Sequence, residues 1–168
     1  MPNTRAERLL SAAAVVAGIH AASSLYWAVG GTWLLDTVGR WAVDAGVEHP
    51  VLTGLALAVV AAVKLAGGVV PVLNERGRLP WPRFWRRLSW AGAVVLVVYG
   101  AANTAGAWVV LAGAVTPDGG YDRPAVLGHA LLWDPLFLLW GLLLAGGLRA
   151  GSRWPRRAVR QSASQIPM

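Results

Sequence analysis

The chain has 168 residues, of which 56% are apolar and only 14% are charged. Because a soluble domain is typically about a quarter charged, this composition favours a membrane protein. The chain contains no cysteine, which excludes disulfides, thiolate catalysis and zinc–thiolate sites within it. Its ten tryptophans and its net charge of +7 fit a protein that meets two membrane–water interfaces.

Four stretches are long enough to cross a bilayer core of about 30 Å as helices, since a crossing takes roughly 20 apolar residues. They are residues 9–31, 51–73, 88–115 and 125–148. The segments between them are rich in Pro, Gly or charge, and each is too short to form a soluble domain. The sequence therefore predicts a single all-α domain over residues 1–168, an integral membrane four-helix bundle, with residues 149–168 as a basic cytoplasmic tail.

Arginine is unevenly distributed between the two sides that these spans define. Two arginines precede the first span, five separate the second span from the third, and five lie in the tail, which makes twelve on one side. The other two connections contain only Arg40 and Arg123. By the positive-inside rule, this asymmetry predicts a multi-pass protein of the cell membrane with both termini cytoplasmic. The arginines are expected to contact anionic lipid headgroups on that side, which argues against nucleic-acid binding.

The connection between the first two spans has a helical pattern of its own. Leu34, Val38 and Trp41 fall on one face of a helix, and the charged residues fall on the opposite face. This spacing predicts a short interfacial helix in the first outer loop, ended by Gly46.

Each predicted span carries polar side chains near its middle. They are His20 in the first span, Lys64 in the second, Tyr99 and Asn103 in the third, and Asp134 in the fourth. At about 1.5 Å of rise per residue, these groups fall within a slab of roughly 10 Å. Because a Lys or Asp costs about 2.5–3.5 kcal/mol at the centre of a span, we expect these side chains to form one inward-facing polar cluster.

Within this cluster, Lys64 and Asp134 are predicted to form an ion pair, because they carry opposite charges at similar depth. The pair has two interpretations, a structural contact that fixes helix register or a site of proton transfer or ligand binding. His129 lies five residues before Asp134, about 140° around a regular helix, so a direct contact between these two is not expected. Pro135 follows the acid, and a kink is expected there.

Hydroxyl and aromatic side chains at helical spacing around the cluster form a candidate pocket. Its predicted lining consists of Ser23, Ser24, Trp27, Trp108, His129, Trp133 and Trp140. Axial ligation of a b-type haem by His20 and His129 is disfavoured, because their depths differ by roughly 11 Å. No Glu-x-x-His motif or comparable cluster points to a metal site, and the sequence predicts no cofactor.

Two strings of residues resemble a known family. "HAASSLYWAVGGTWLLD" (20–36) and "GHALLWDPLFLLWGLLL" (128–144) are similar to the first and last spans of a family of small bacterial membrane proteins. That family is described as a domain of unknown function and is frequent in actinobacteria. The resemblance extends from about residue 9 to residue 148. It implies a four-span fold and no established activity, so it assigns no catalytic residue.

The residues predict a small integral membrane protein that binds a lipophilic small molecule, a lipid or a membrane partner through its polar cluster. Two alternatives stay open. One is a membrane enzyme or proton-coupled carrier that uses Lys64, Asp134 and the histidines, although no known catalytic motif is present. The other is a structural subunit of a membrane complex.

Overall fold

The computed structural model describes residues 4–151, and every regular element in that range is helical. The elements are α1 Thr4–Ala28, α2 Arg40–Glu48, α3 Pro50–Glu75, α4 Pro82–Leu111, α5 Arg123–Gly128, a π-helical segment His129–Trp133, and α6 Asp134–Gly151. Residues 152–168 of the predicted basic tail lie outside the described part of the chain.

Four helices in residues 4–151 are long and apolar enough to cross a membrane: α1, α3, α4 and the continuous helical stretch Arg123–Gly151. The prediction of four apolar helices is therefore confirmed, although their bounds differ from those of the apolar runs. The third helix begins at Pro82 rather than at residue 88, because proline suits the first helical position and the polar residues after it are compatible with a helix. Which side of the membrane the termini occupy stays a prediction.

α1 and α6 form the centre of the bundle. α1 packs against α3 and α6, and α4 packs mainly against α6. In the most apolar window of α1, and in that of Arg123–Gly151, 39% of the residues are buried, against 17% for α3 and 11% for α4. α3 and α4 therefore turn most of their surface outward, including Val59, Val63, Val95 and Val98. In a membrane these aliphatic faces contact lipid.

The apolar core lies towards the end of the bundle where α1 begins and α6 ends. It consists of Leu10, Ala13, Val16, Ala17, Ala93, Trp140, Leu144 and Leu148. Glycine permits close helix approach here, since a Cβ added to Gly68 would lie 2.7 Å from the Ala17 Cβ. Because lipid is as apolar as leucine, close packing rather than water exclusion stabilises such contacts within a bilayer.

Ion pairs connect the helices at the same end. Arg76 contacts Glu7 at 3.2 Å, which joins α3 to α1. Arg86 on α4 lies 3.9 Å from Glu75 on α3, and it also donates a hydrogen bond to the Leu148 carbonyl on α6. Two of the arginines that the sequence assigns to lipid headgroups are thus bound within the protein.

The connection from α1 to α2 differs from its predicted form. Residues 33–38 make successive turns, with Leu34 at a φ of 61° and Gly39 at a φ of 138°. The helix begins only after Gly39 and continues past Gly46 to Glu48. The prediction of a helix in this connection is correct. The prediction that Gly46 ends the helix is wrong, because the left-handed glycine is Gly39, which precedes the helix, and Gly46 lies within it. Its interfacial position stays a prediction.

Candidate functional site

His129 and Asp134 contact each other directly in the last helical stretch. His129 Nδ1 lies 2.9 Å from Asp134 Oδ2, and Asp134 is completely buried. The expectation that these residues would not meet is wrong, because His129–Trp133 is π-helical. A π-helix forms its hydrogen bonds between residues five apart, and its wider turn brings such residues onto the same side. The π-helical segment ends just before Asp134 and Pro135, and the kink expected at Pro135 stays a prediction.

The second ring nitrogen of His129 determines how many protons the pair holds. Nε2 lies 3.2 Å from the carbonyl oxygen of Val38. A carbonyl oxygen only accepts, so Nε2 carries a hydrogen and donates it. The contact between Nδ1 and Asp134 Oδ2 then needs one shared proton, because two bare acceptors 2.9 Å apart would repel each other. The pair is either imidazole with carboxylic acid or imidazolium with carboxylate, and both forms have zero net charge.

This arrangement replaces the predicted ion pair between Lys64 and Asp134. His129 neutralises Asp134, and Lys64 donates instead to Ser24 Oγ at 2.9 Å. The predicted Lys64–Asp134 pairing is therefore wrong. Within residues 4–151, Asp134 Oδ1 is buried and has no hydrogen-bond partner. An unpartnered buried oxygen next to a shared proton is an incomplete polar site.

The loop of residues 29–39, here called the strap, contacts the π-helical segment next to this pair. The Trp27 indole donates to the Trp33 carbonyl at 2.9 Å, and the Trp133 indole donates to Thr37 Oγ1 at 3.0 Å. Each tryptophan is buried, so each indole N–H needs such an acceptor. The strap thus supplies hydrogen-bond acceptors to Trp27 of α1 and to His129 and Trp133 of the π-helical segment.

Lys64 belongs to a second polar region. Ser24 Oγ accepts from Lys64 and donates to the His20 carbonyl at 3.3 Å. Lys64 Nζ also lies 5.6 Å from the centre of the Phe137 ring, and the His20 ring stacks on Phe137 at 4.0 Å. Among residues 4–151, no carboxylate lies within ion-pair distance of Lys64, so a hydroxyl and an aromatic face are its partners.

Phe137 belongs to the region around Lys64, and sequence reasoning missed it. His20 Nε2 donates to the Trp133 carbonyl at 3.2 Å, one residue before Asp134. Tyr99 meets the edge of Phe137 with ring centres 5.6 Å apart. Its position in the sequence could have identified it, since Phe137 lies three residues after Asp134 and so shares a helical face with that acid.

An open groove of about 300 Å³ runs beside the His129–Asp134 pair, between α4 and the last helical stretch. Its lining consists of Ala102, Asn103, Gly106, Ala107, Asp122, Ala125, Val126, His129 and Asp134. Asn103 is exposed at the bundle surface and donates one N–H to the Tyr99 carbonyl at 2.9 Å. The groove therefore brings Asn103 and Asp134 of the predicted cluster together, but it does not include His20 or Lys64.

The predicted pocket lining separates into three groups. His129 alone of these residues lines the groove. Trp27, Trp133 and Trp140 are buried and fill space between helices. Ser23 bonds to the Ile19 carbonyl of its own helix, Ser24 serves Lys64, and Trp108 is 51% exposed. The prediction of a pocket walled by tryptophans is therefore wrong. The indoles pack against the strap and the core, and the open space lies beside the small residues of α4.

No group of three or more metal-ligating side chains occurs among residues 4–151. Both ring nitrogens of His129 are engaged in hydrogen bonds. The absence of a cofactor stays a prediction.

The chain matches one family model, described as "Protein of unknown function (DUF3995)", over residues 17–144. That range contains His20, Lys64, the strap, the π-helical segment and the groove. Comparisons with curated proteins and with solved structures gave no match.

Proposed function

Because the chain belongs to the DUF3995 family, whose function is unknown, we propose a function from the chain's own residues. This small multi-pass membrane protein binds a lipophilic small molecule or lipid in the groove, with the polar group of that ligand beside His129 and Asp134. The observation that carries the proposal is Asp134, which lines a groove of mostly small apolar residues and whose buried Oδ1 has no hydrogen-bond partner among residues 4–151. Ligand sites in proteins combine an apolar lining with a few such polar groups.

The shape of the groove supports this assignment. Ala102, Gly106, Ala107 and Ala125 have no large side chain, so they leave a channel along α4. Its volume of about 300 Å³ lies at the lower end of the range for ligand sites, roughly 300–1,000 Å³. Such a space takes a head group and part of a chain, while the rest of a lipophilic ligand extends into the bilayer.

We further propose that the protein lies in the cell membrane with both termini cytoplasmic, as the arginine asymmetry predicts. The groove then opens towards the outer leaflet. Reporter proteins inserted at Gly77 and at Gly119 test this orientation, because the two loops lie at opposite ends of α4. A cytoplasmic signal at Gly77 and an external signal at Gly119 are expected, and the reverse result would contradict the proposal.

Blocking the groove tests binding. A Cβ added at Gly106 would meet no atom of residues 4–151 within 4 Å, so Gly106→Phe introduces a large side chain into the groove that this residue lines without a clash at its Cβ. Gly92 also has open space around its Cβ and lies about 21 Å away along the same helix, so Gly92→Phe is the matched control.

The probes are C16 chains with a diazirine near the polar end, each carrying one head group: methyl ether, hydroxyl, carboxylate or amine. At least one probe should crosslink to peptides of α4 or of residues 123–134 in nanodiscs. Gly106→Phe should reduce that crosslink at least tenfold, and Gly92→Phe should preserve it. If no probe labels these segments, or if both variants label equally, the proposed function is wrong.

The shared proton of the His129–Asp134 pair supports a second candidate, a proton-coupled carrier. Lys64 makes no contact with that pair, so this candidate rests on His129 and Asp134 alone. Protein in liposomes with an internal pH-sensitive dye should then show a proton flux that His129→Gln abolishes. Absence of flux would leave the binding function as it stands.

A further inference from the structure

We infer that the ligand of the groove is a neutral lipid alcohol, and that Asp134 Oδ1 accepts the hydrogen of its hydroxyl group. This inference rests on the proposed function and adds the chemical class of the ligand. It follows from counting protons and charges around Asp134.

The proton count makes Oδ1 an acceptor in either form of the pair. His129 Nε2 donates to Val38, and one proton is shared between Nδ1 and Oδ2. If that proton resides on Oδ2, then Oδ1 is the carbonyl oxygen of a carboxylic acid. If it resides on Nδ1, then Oδ1 is a carboxylate oxygen. Both accept hydrogen bonds and neither donates, so a ligand that satisfies Oδ1 must bring a hydrogen.

The charge count favours a neutral ligand. The His129–Asp134 pair is neutral in both forms. Asp122, the other carboxylate that lines the groove, already accepts from the backbone N–H groups of Arg40 and Ala125, so an ammonium head group beside Asp134 would introduce a positive charge that the pair does not balance. A carboxylate or phosphate head group would place a negative charge against an acceptor. Charges that lack a partner are costly inside a membrane. A hydroxyl group supplies the hydrogen without either cost.

Asn103 provides the complementary group. One of its N–H bonds is used by the Tyr99 carbonyl, and the side-chain amide has a second N–H that can donate. A hydroxyl both donates and accepts, so it can give its hydrogen to Asp134 and accept one from Asn103 on the same groove. An ether or ester oxygen can only accept, and it would leave Oδ1 unsatisfied.

The same four C16 probes test the class of ligand. Unlabelled hexadecanol should displace the hydroxyl probe at a concentration at least tenfold lower than hexadecyl methyl ether, palmitate or hexadecylamine does. Asp134→Asn should keep this preference, since its amide can donate to His129 Nδ1 while its carbonyl remains an acceptor. Asp134→Leu, which has no acceptor, should reduce the preference to less than twofold.

A second variant guards against misfolding of Asp134→Leu. Asn103 is exposed, so Asn103→Leu leaves the buried contacts intact. It removes a donor that the alcohol and the ether can both use, so it should weaken both probes and leave the preference for the alcohol, which depends on Asp134, in place; loss of that preference in Asn103→Leu would contradict the inference. Groove labelling with no preference for the hydroxyl would overturn the inference and leave the proposed function standing. Preference for the acid or the amine would also overturn it. If no head group labels the groove, the proposed function itself fails.

Discussion

The bundle contains two polar regions that differ in how their charges are satisfied. Asp134 is completely buried, and a histidine five residues away on its own chain segment neutralises it. Lys64 is only half-buried, and its contacts are a serine hydroxyl and an aromatic ring. The acid is enclosed and pairs with a histidine whose side chain is 33% exposed at the groove, whereas the half-buried amine on α3 has no carboxylate partner among residues 4–151.

This difference shows that depth in the membrane does not decide which polar groups pair. Lys64 and Asp134 lie at similar predicted depths, yet the local backbone gives Asp134 a nearer partner. A long lysine side chain can also reach along the helix towards a more polar environment. The Asp134 region should therefore be sensitive to every change that disturbs its geometry, and the Lys64 region should tolerate change.

The largest effect should come from removing the acid. Asp134→Leu leaves His129 either charged without a counterion or with an unpaired Nδ1, so it should lower the free energy of unfolding by about 3–5 kcal/mol. Asp134→Asn keeps a hydrogen-bond partner for Nδ1 and should cost about 1 kcal/mol. Chemical unfolding in mild detergent, followed by tryptophan fluorescence, measures both. Equal losses for the two variants would show that the pair requires a carboxylate charge.

The next effect concerns the approach of α4 to α6, which positions the groove beside Asp134. A Cβ added to Gly100 would lie 2.5 Å from the Leu138 backbone nitrogen and 2.8 Å from the Asp134 carbonyl oxygen. Since backbone atoms cannot move aside cheaply, Gly100→Ala should destabilise the bundle by about 2–3 kcal/mol.

Gly106 on the same helix has open space at its Cβ position, so Gly106→Ala is the control. Alanine is a better helix former than glycine, and this variant should be as stable as the parent or slightly more so. A comparable loss in both variants would mean that α4 does not approach α6 closely.

A smaller effect is expected in the strap. Thr37 accepts the Trp133 indole hydrogen and donates to the Leu34 carbonyl at 2.6 Å. Thr37→Val keeps the shape but removes both bonds, so it should cost about 1–2 kcal/mol. Thr104 has a buried hydroxyl with no hydrogen-bond partner in the described range 4–151, and Thr104→Val should therefore be neutral or stabilising. The same unfolding measurement compares them, and equal costs would contradict the role of the strap.

The fold could be predicted from the sequence because each spanning helix is indicated by the combined hydrophobicity of about 20 residues. Four apolar runs of about 20 residues hardly fit any structure other than four spanning helices. The polar contacts were not predictable in this way, since each depends on local geometry. The angle of 140° between His129 and Asp134 assumes a regular helix, and no pattern in the residues before Pro135 identifies a π-helical turn.

The groove and the strap were missed for related reasons. Tryptophans attract attention in a sequence, but here they fill space, and the groove is open where Ala102 and Gly106 have little side chain. The strap acts partly through backbone carbonyls, those of Trp33 and Val38. Every residue has a carbonyl, so composition and spacing cannot indicate which of them will be used.

The smallest expected loss of stability comes from a change at Lys64, and this change tests most directly whether the two polar regions are independent. Lys64→Met removes one hydrogen bond and a cation–aromatic contact at a half-buried position, and it should cost no more than about 1 kcal/mol. Because Lys64 and Asp134 share no contact, the losses from Lys64→Met and Asp134→Leu should add to within about 0.5 kcal/mol in the double variant.

His129→Leu provides the contrast, since His129 and Asp134 form one unit. The double variant His129→Leu, Asp134→Leu should be more stable than the sum of its single losses predicts, by about 1–3 kcal/mol, because the second substitution removes a group that the first left unpaired. Two double-mutant cycles, measured by unfolding in the same detergent, give the two coupling energies. Coupling of Asp134 to Lys64 that equals its coupling to His129 would mean that the two regions act as one cluster, and that the π-helical turn does not isolate the acid.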